Sequence, residues 1–318
     1  MKKFWDIIKQ YFPLLGFCFV IVFFAIATKG AILSKQSMQS LLNSVIATAL
    51  VSLGAVFVFG SGNFDMSMGG CLAFSAVIGG YAAIATGSLL LALFVCLVVS
   101  LALGLLKGLF AAFVEVPLFI VTIVLGSIIS AVVLVIMGVN VTIHLSDSMH
   151  EIRSFTFGEI SFINLLILGV YFILSVVLFD LTKIGRQIKI LGGNPVTARQ
   201  TGMNARKIKI LAFLISAVGV GLAAFAILVR VRAVGTTTAG SMGTDVMTAL
   251  VLGGMPLVGG PRSKISAGLV GAATITVLNA GLTMIGLDLA TIQTVRAIIF
   301  LAVVYVASVS YRTKLLPR

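Results

Sequence analysis

The sequence predicts an all-α polytopic integral membrane protein with about ten transmembrane helices in two pseudo-repeated halves. Three observations predict it. Mean hydropathy is +1.21. Only 10% of the residues are charged, against about a quarter in soluble domains. Apolar runs of span length recur along all 318 residues, leaving room for roughly eight to eleven crossings and no sizeable soluble domain. Residues 1–318 therefore read as one transmembrane domain. The net charge of +13 would suggest nucleic acid in a soluble protein. Here the cations lie in short loops and termini, where they orient the chain against anionic lipid, so no nucleic-acid partner is implied.

Apolar spans are predicted near residues 12–28, 41–60, 67–86, 88–106, 110–138, 161–180, 209–229, 246–257, 265–286 and 293–311. The first follows MKKFWDIIKQ, and Ala25-Ile26-Ala27 resembles a signal cleavage site. The apolar run is too long for a signal peptide, which favours an uncleaved span. Pro117 falls inside the predicted 110–138 span, where a proline bends a membrane helix, either at a gate or as a static kink. Small residues at helical spacing (Ser75 with Gly79, Ala76 with Gly80, Ala267 with Gly271, Gly268 with Ala272) mark close helix packing. Cys18, Cys71 and Cys96 lie in apolar runs without Cys-x-x-Cys spacing and read as packing residues.

The stretch 183–209, KIGRQIKILGGNPVTARQTGMNARKIK, is basic throughout and contains no acidic residue. It marks the cytoplasmic side, together with Lys2, Lys3 and Lys9 at one terminus and Arg312, Lys314 and Arg318 at the other. Gly192-Gly193-Asn194-Pro195 breaks it, and Val196 to Gly202 reads as a short helix. Its length and patterning imply a docking surface. The loop 139–160, with His144, Asp147, His150, Glu151, Arg153 and Glu159, falls outside. Its residues match no zinc spacing and read as a solvated loop, so no metal site is expected. Arg230 and Arg232 also fall outside, against the charge bias.

Val56–Gly80 and Leu250–Ala273 share an apolar stretch, a Gly-rich break and a second stretch full of small residues. Interrupted segments in corresponding halves point to a transport pathway. The first break holds Asn63, Asp65 and Ser67. An ionisable group at membrane depth is expensive, so Asp65 either lines a pathway or caps the following helix. There is no nucleophile elbow, no His-Glu-x-x-His and no phosphate-cradling loop. The chain is thus not expected to be an enzyme or to hold a cofactor, and any ATPase must be a separate chain.

Four ordered blocks carry a family resemblance. Gly62-Asn63-Phe64-Asp65-Met66-Ser67-Met68-Gly69 resembles a Gly-Gly-Ile-Asp-Leu-Ser-Val-Gly motif, and Pro117 to Thr122 a Pro-Pro-Phe-Ile-Val-Thr segment. Gly185-Arg186, Leu191-Gly192-Gly193-Asn194, Ala198-Arg199 and Gly202-Met203-Asn204 resemble a cytoplasmic loop motif, and Leu252-Gly253-Gly254, Gly259-Gly260 and Leu278-Asn279-x-Gly281-Leu282 a final block. Together they resemble permease subunits of bacterial ABC importers for ribose and related simple sugars, a family that also includes permeases for xylose, galactose and the furanone quorum signal. Asn63 and Phe64 depart from its Gly and Ile, Lys107 stands where Asn is expected, and Pro256 and Pro261 interrupt the last block.

The resemblance implies an inner-membrane permease with cytoplasmic termini, a second permease subunit, two ABC ATPase domains and an extracytoplasmic substrate-binding protein. It makes Arg186, Gly192, Gly193, Asn194, Ala198, Arg199 and Gly202 the ATPase-coupling loop. Asn63, Asp65, Ser67, Pro117 and Asn279 become candidates for the pathway or gate. The competing expectations are an ion-coupled secondary transporter, which needs buried carboxylates or unwound carbonyls as ion sites, and a scaffold or membrane enzyme.

Overall fold

A computed structural model of the chain describes residues 2–114, 116–138, 142–145, 157–236, 238 and 240–315, with backbone only at 2–10, 12, 157, 289 and 306–315. Twelve α-helices occupy the described residues: α1 Lys2–Ala27, α2 Lys35–Gly60, α3 Met68–Thr86, α4 Leu89–Phe113, α5 Leu118–Met137, α6 Phe157–Val176, α7 Lys183–Gly193, α8 Pro195–Gln200, α9 Ala205–Val231, α10 Met242–Leu252, α11 Ile265–Met284 and α12 Leu289–Leu315. A π-helical turn, Val177–Leu181, extends α6. Seven helical segments are long and apolar enough to cross a membrane. Three further apolar helical segments, Pro13–Ala27, Met242–Leu252 and Ala290–Tyr305, are shorter and fall where the sequence predicts the remaining three spans.

Local chemistry sets the helix ends. Ser34, Ser88 and Asn204 accept hydrogen bonds from Ser37 N, Leu91 N and Lys207 N, satisfying first-turn donors that lipid cannot. Asp288 Oδ2 does the same for Ala290 N and Thr291 N at the start of α12. Pro117 corrects the sequence reading. The predicted 110–138 span is two pieces, α4 running on to Phe113 and α5 starting at Leu118, and Pro117 (φ −52°, ψ 116°) lies between them as the N-cap of α5. Its fixed φ and missing donor suit that position, and it bends no helix.

At the centre lies α2, whose residues from Ile46 to Gly60 are all buried. A helix apolar all round belongs in the middle of a bundle. It runs antiparallel to α9 and α11: Ser44 Oγ meets Arg230 and Gly54 meets Ser216, while Thr48 meets Thr276 and Ser52 meets Gly268. The glycines at these crossings leave no room for a side chain, as do Gly79 against Cys96 and Gly271 against Ala249. This bears out the small-residue reading. Cys71 and Cys96 are buried, whereas Cys18 is exposed on α1, against the packing role expected of it.

A two-stranded antiparallel ladder, β1 Thr142–His144 with β2 Ala233–Gly235, is the one departure from all-helical structure among the described residues. It ties the loop after α5 to the loop after α9, so both leave the bundle on the same face. His144 pairs with Ala233 there. Asp147, His150, Glu151 and Arg153 lie outside the described residues.

Candidate functional site

The basic segment folds as two short helices, α7 and α8. Gly185, Ile188, Leu191 and Gly192 bury one face of α7, while Lys183 and Arg186 stay exposed on the other. Asn194 Oδ1 then accepts from Val196 N (2.9 Å) and Thr197 N (3.2 Å), and Pro195 opens α8. Ala198 is buried under it, and Arg199 is exposed. Gly202 (φ +74°) turns the chain toward α9 in the left-handed region that favours glycine. The expected helix after the Gly-Gly-Asn-Pro break is therefore present. The segment is not free of carboxylate contact, because Lys189 Nζ pairs with Asp180 Oδ1 at 2.7 Å, just upstream.

The buried end of α7 meets both helix breaks. Residues 61–67 join α2 to α3, and residues 253–264 join α10 to α11. Gly260 N donates to Gly60 O at 3.1 Å, so the two breaks are directly bonded. A Cβ on Gly192 would collide with Gly60 O and lie 2.8 Å from Gly260 N; one on Gly193 would lie 2.9 Å from Pro261 Cδ. Thus α7 reaches the pair of breaks at Gly192 by direct backbone contact. The breaks share a face, and it is the face of the basic segment.

The first break climbs from that face into the bundle. A Cβ on Gly126 would come within 3.1 Å of Ser67 Cα. Gly126 is the ninth residue of α5, which places Ser67 about 12 Å along that helix, near mid-span. Backbone groups on the way are satisfied internally: Thr122 Oγ1 accepts from Met66 N (3.2 Å) and Asn63 Nδ2 donates to Ser61 O (3.4 Å). Asp65 is 2% exposed. Its Oδ1 accepts from Ser67 N (2.9 Å) and Ser67 Oγ (2.6 Å), and its Oδ2 takes Lys107 Nζ at 2.6 Å. Lys107, on α4, is equally buried at 3%.

The five pathway candidates therefore separate. Asn63 and Pro117 line a recess of about 380 Å³ at the basic-segment face, beside Lys209. Asp65 and Ser67 belong to the buried ion-pair cluster. Asn279 lies apart on α11, half-buried, its Oδ1 without a hydrogen-bond partner among the described residues. Sequence reasoning missed the role of Lys107, which it noted only as a departure from a motif. It also missed Asp245 of α10 and Arg296 of α12, which form a second ion pair at membrane depth. An ionisable residue inside an apolar run was the available signal in each case.

A bundle with seven span-length apolar helices and two bonded helix breaks under a basic amphipathic element is built as a membrane transport permease. Comparison agrees: residues 37–306 match the family described as branched-chain amino acid transport system / permease component. The chain belongs to this family. It is 28% identical to the xylose transport system permease protein of Haemophilus influenzae, covering 87% of this chain and 90% of that protein. It is 27% identical to the ribose import permease protein of Escherichia coli (85% of each chain) and 28% identical to the galactofuranose transporter permease protein of the same species (84% and 78%). No solved structure matches the chain.

Proposed function

We propose that this permease is the membrane channel of an ATP-driven importer for a small neutral solute of the simple-sugar class. The similar permeases named above support the substrate class. The carrying observation is the α7 contact: an exposed cationic face turned outward, and a glycine face packed backbone-to-backbone on both helix breaks. Arg186 and Arg199 offer a separate ATPase a docking surface, and Gly192 and Gly193 pass its motion to the breaks. Because packed interfaces shift between discrete arrangements, displacement of α7 switches access through the bundle. The partners are a second permease subunit, a pair of ABC ATPase domains and a substrate-binding protein delivering solute on the face of β1 and β2. The basic segment and both termini are cytoplasmic, in a bacterial inner membrane.

The ion-coupled alternative finds no support among the described residues. The two buried carboxylates, Asp65 and Asp245, are held by Lys107 and Arg296, so neither is free to carry a proton or sodium ion. Co-purification of the permease with an ABC ATPase and a substrate-binding protein tests the proposal. Sugar uptake into vesicles that requires ATP is the expected result. Uptake driven by an ion gradient without any ATPase overturns it.

A further inference from the structure

A cavity of about 390 Å³ opens between α10 and α12, closed on one side by Met66 of the first break. Its volume lies in the range of small-ligand sites. Its position suits transport. Helix α10 has 11 residues, about 16 Å of length, half of what a membrane crossing needs. The N-terminal end of α10 meets the mid-span break: a Cβ on Gly243 would collide with Met66 O. Discontinuous helices meeting at mid-depth are where transporters hold their solute.

The lining decides the chemistry. Ser241, Thr244 and Thr248 form one wall. Each hydroxyl proton is already used: Ser241 Oγ donates to Asp245 Oδ2 (2.9 Å), Thr244 Oγ1 to Ser241 O (2.8 Å), and Thr248 Oγ1 to Thr244 O (2.8 Å). A hydroxyl has one donor and two acceptor sites, so this wall presents acceptors. Opposite stand Gln293, whose amide bonds to no described residue, and Arg296. The charge of Arg296 is matched by Asp245, so the cavity has no net charge. A free carboxylate or a zwitterion entering it finds no uncompensated cation. A neutral polyol meets acceptors on one side, amide and guanidinium donors on the other, and the Phe300 ring as an apolar surface.

We propose that this cavity is the station where a neutral polyhydroxylated solute rests during passage, with Thr244, Thr248 and Gln293 setting the preference for sugars over amino acids. The inference rests on the importer reading above.

The test uses the complete importer in detergent, so that reagent reaches both faces. Cys18→Ser removes the exposed thiol, since Cys71 and Cys96 are buried, and Thr244→Cys installs a reporter. A hydrophilic methanethiosulfonate is expected to label position 244. D-ribose or D-xylose at ten times its Kd should slow labelling about tenfold by occupancy alone, and L-leucine should not slow it. In the native-cysteine importer, Gln293→Leu should raise KM for the transported sugar about fivefold, the effect of one lost hydrogen bond, with kcat little changed. Sugar uptake without protection of position 244 overturns the inference while leaving the sugar reading intact. Protection by L-leucine alone, with no sugar transported, overturns both. A position 244 that never labels, or that no probe protects, overturns the cavity assignment.

Discussion

Asp65 shows how magnitudes decide between roles for a residue. Two readings stood open from the sequence: a helix cap or part of a pathway. Its Oδ1 does bind a backbone N–H, but that of Ser67 two residues on, an Asx turn leading into α3. Its Oδ2 is committed to Lys107 in a site almost closed to solvent. Losing a cap-type bond costs about 1 kcal/mol, whereas leaving one charge of a buried pair alone costs about 3–5 kcal/mol. The pair therefore dominates. Lys107→Met should destabilise the purified permease by about the larger amount. Asp65→Asn should do nearly the same although it keeps an acceptor for Ser67, because it strands Lys107. The double variant Asp65→Asn with Lys107→Met should recover most of the loss, since it leaves no charge unmatched. Thermal unfolding of the four proteins checks this cycle. An Asp65→Asn permease as stable as the parent, with Lys107→Met also unaffected, removes the ion pair from the account.

At the scale of elements, α7 is the part whose packing and exposure diverge most. Gly192 on its inner face tolerates no Cβ, so Gly192→Ala should shift α7 off the breaks at a cost of about 1–3 kcal/mol, typical of overpacking. The variant should still insert, yet its partner ATPase should lose stimulation by solute-loaded binding protein. Arg199→Glu probes the outer face. An exposed substitution of this kind changes stability by about 0.5 kcal/mol or less, so reduced ATPase docking with unchanged thermal unfolding is the expected pattern. Normal uptake in both variants counts against transmission through α7. Much of this was legible in the sequence. The apolar runs gave the spans, Gly192-Gly193-Asn194-Pro195 gave the junction of α7 and α8, and the two Gly-rich breaks were found as a pair. The partners of buried charges were not legible. Asp65 and Lys107 are 42 residues apart, and although Ala92, Cys96, Ser100, Gly104 and Lys107 mark one buried stripe along α4, that period does not say which element the stripe faces. The boundary at Pro117 was missed for a related reason: the apolar run continues from α4 into α5, and hydropathy alone does not register a turn.

For the whole molecule, connectivity fixes relative sidedness before any charge argument is made. The ladder between β1 and β2 sets the ends of α5 and α9 on one face. Arg206 lies 5.1 Å from the Phe113 ring, joining the start of α9 to the end of α4 on the other. The bonded breaks and α7 belong to that second face. Since α4 runs from Leu89 toward the second face, the turn at Gly87 between α3 and α4 sits on the first, with β1 and β2. The excess of Lys and Arg in residues 183–209 supports the proposed cytoplasmic placement of the second face, because short cytoplasmic loops retain cations. Arg230 does not oppose this orientation strongly: its guanidinium donates to Ser44 Oγ at 3.0 Å and is largely packed within the bundle rather than free in a loop. In a Cys18→Ser background, Thr86→Cys should react with a membrane-impermeant thiol reagent added to intact cells, while Thr197→Cys should react only after permeabilisation. Both positions are exposed, so an unreactive site reports sidedness rather than burial. Labelling of position 197 but not 86 in intact cells would invert the permease, turn α7 away from any cytoplasmic ATPase and remove the coupling route with it.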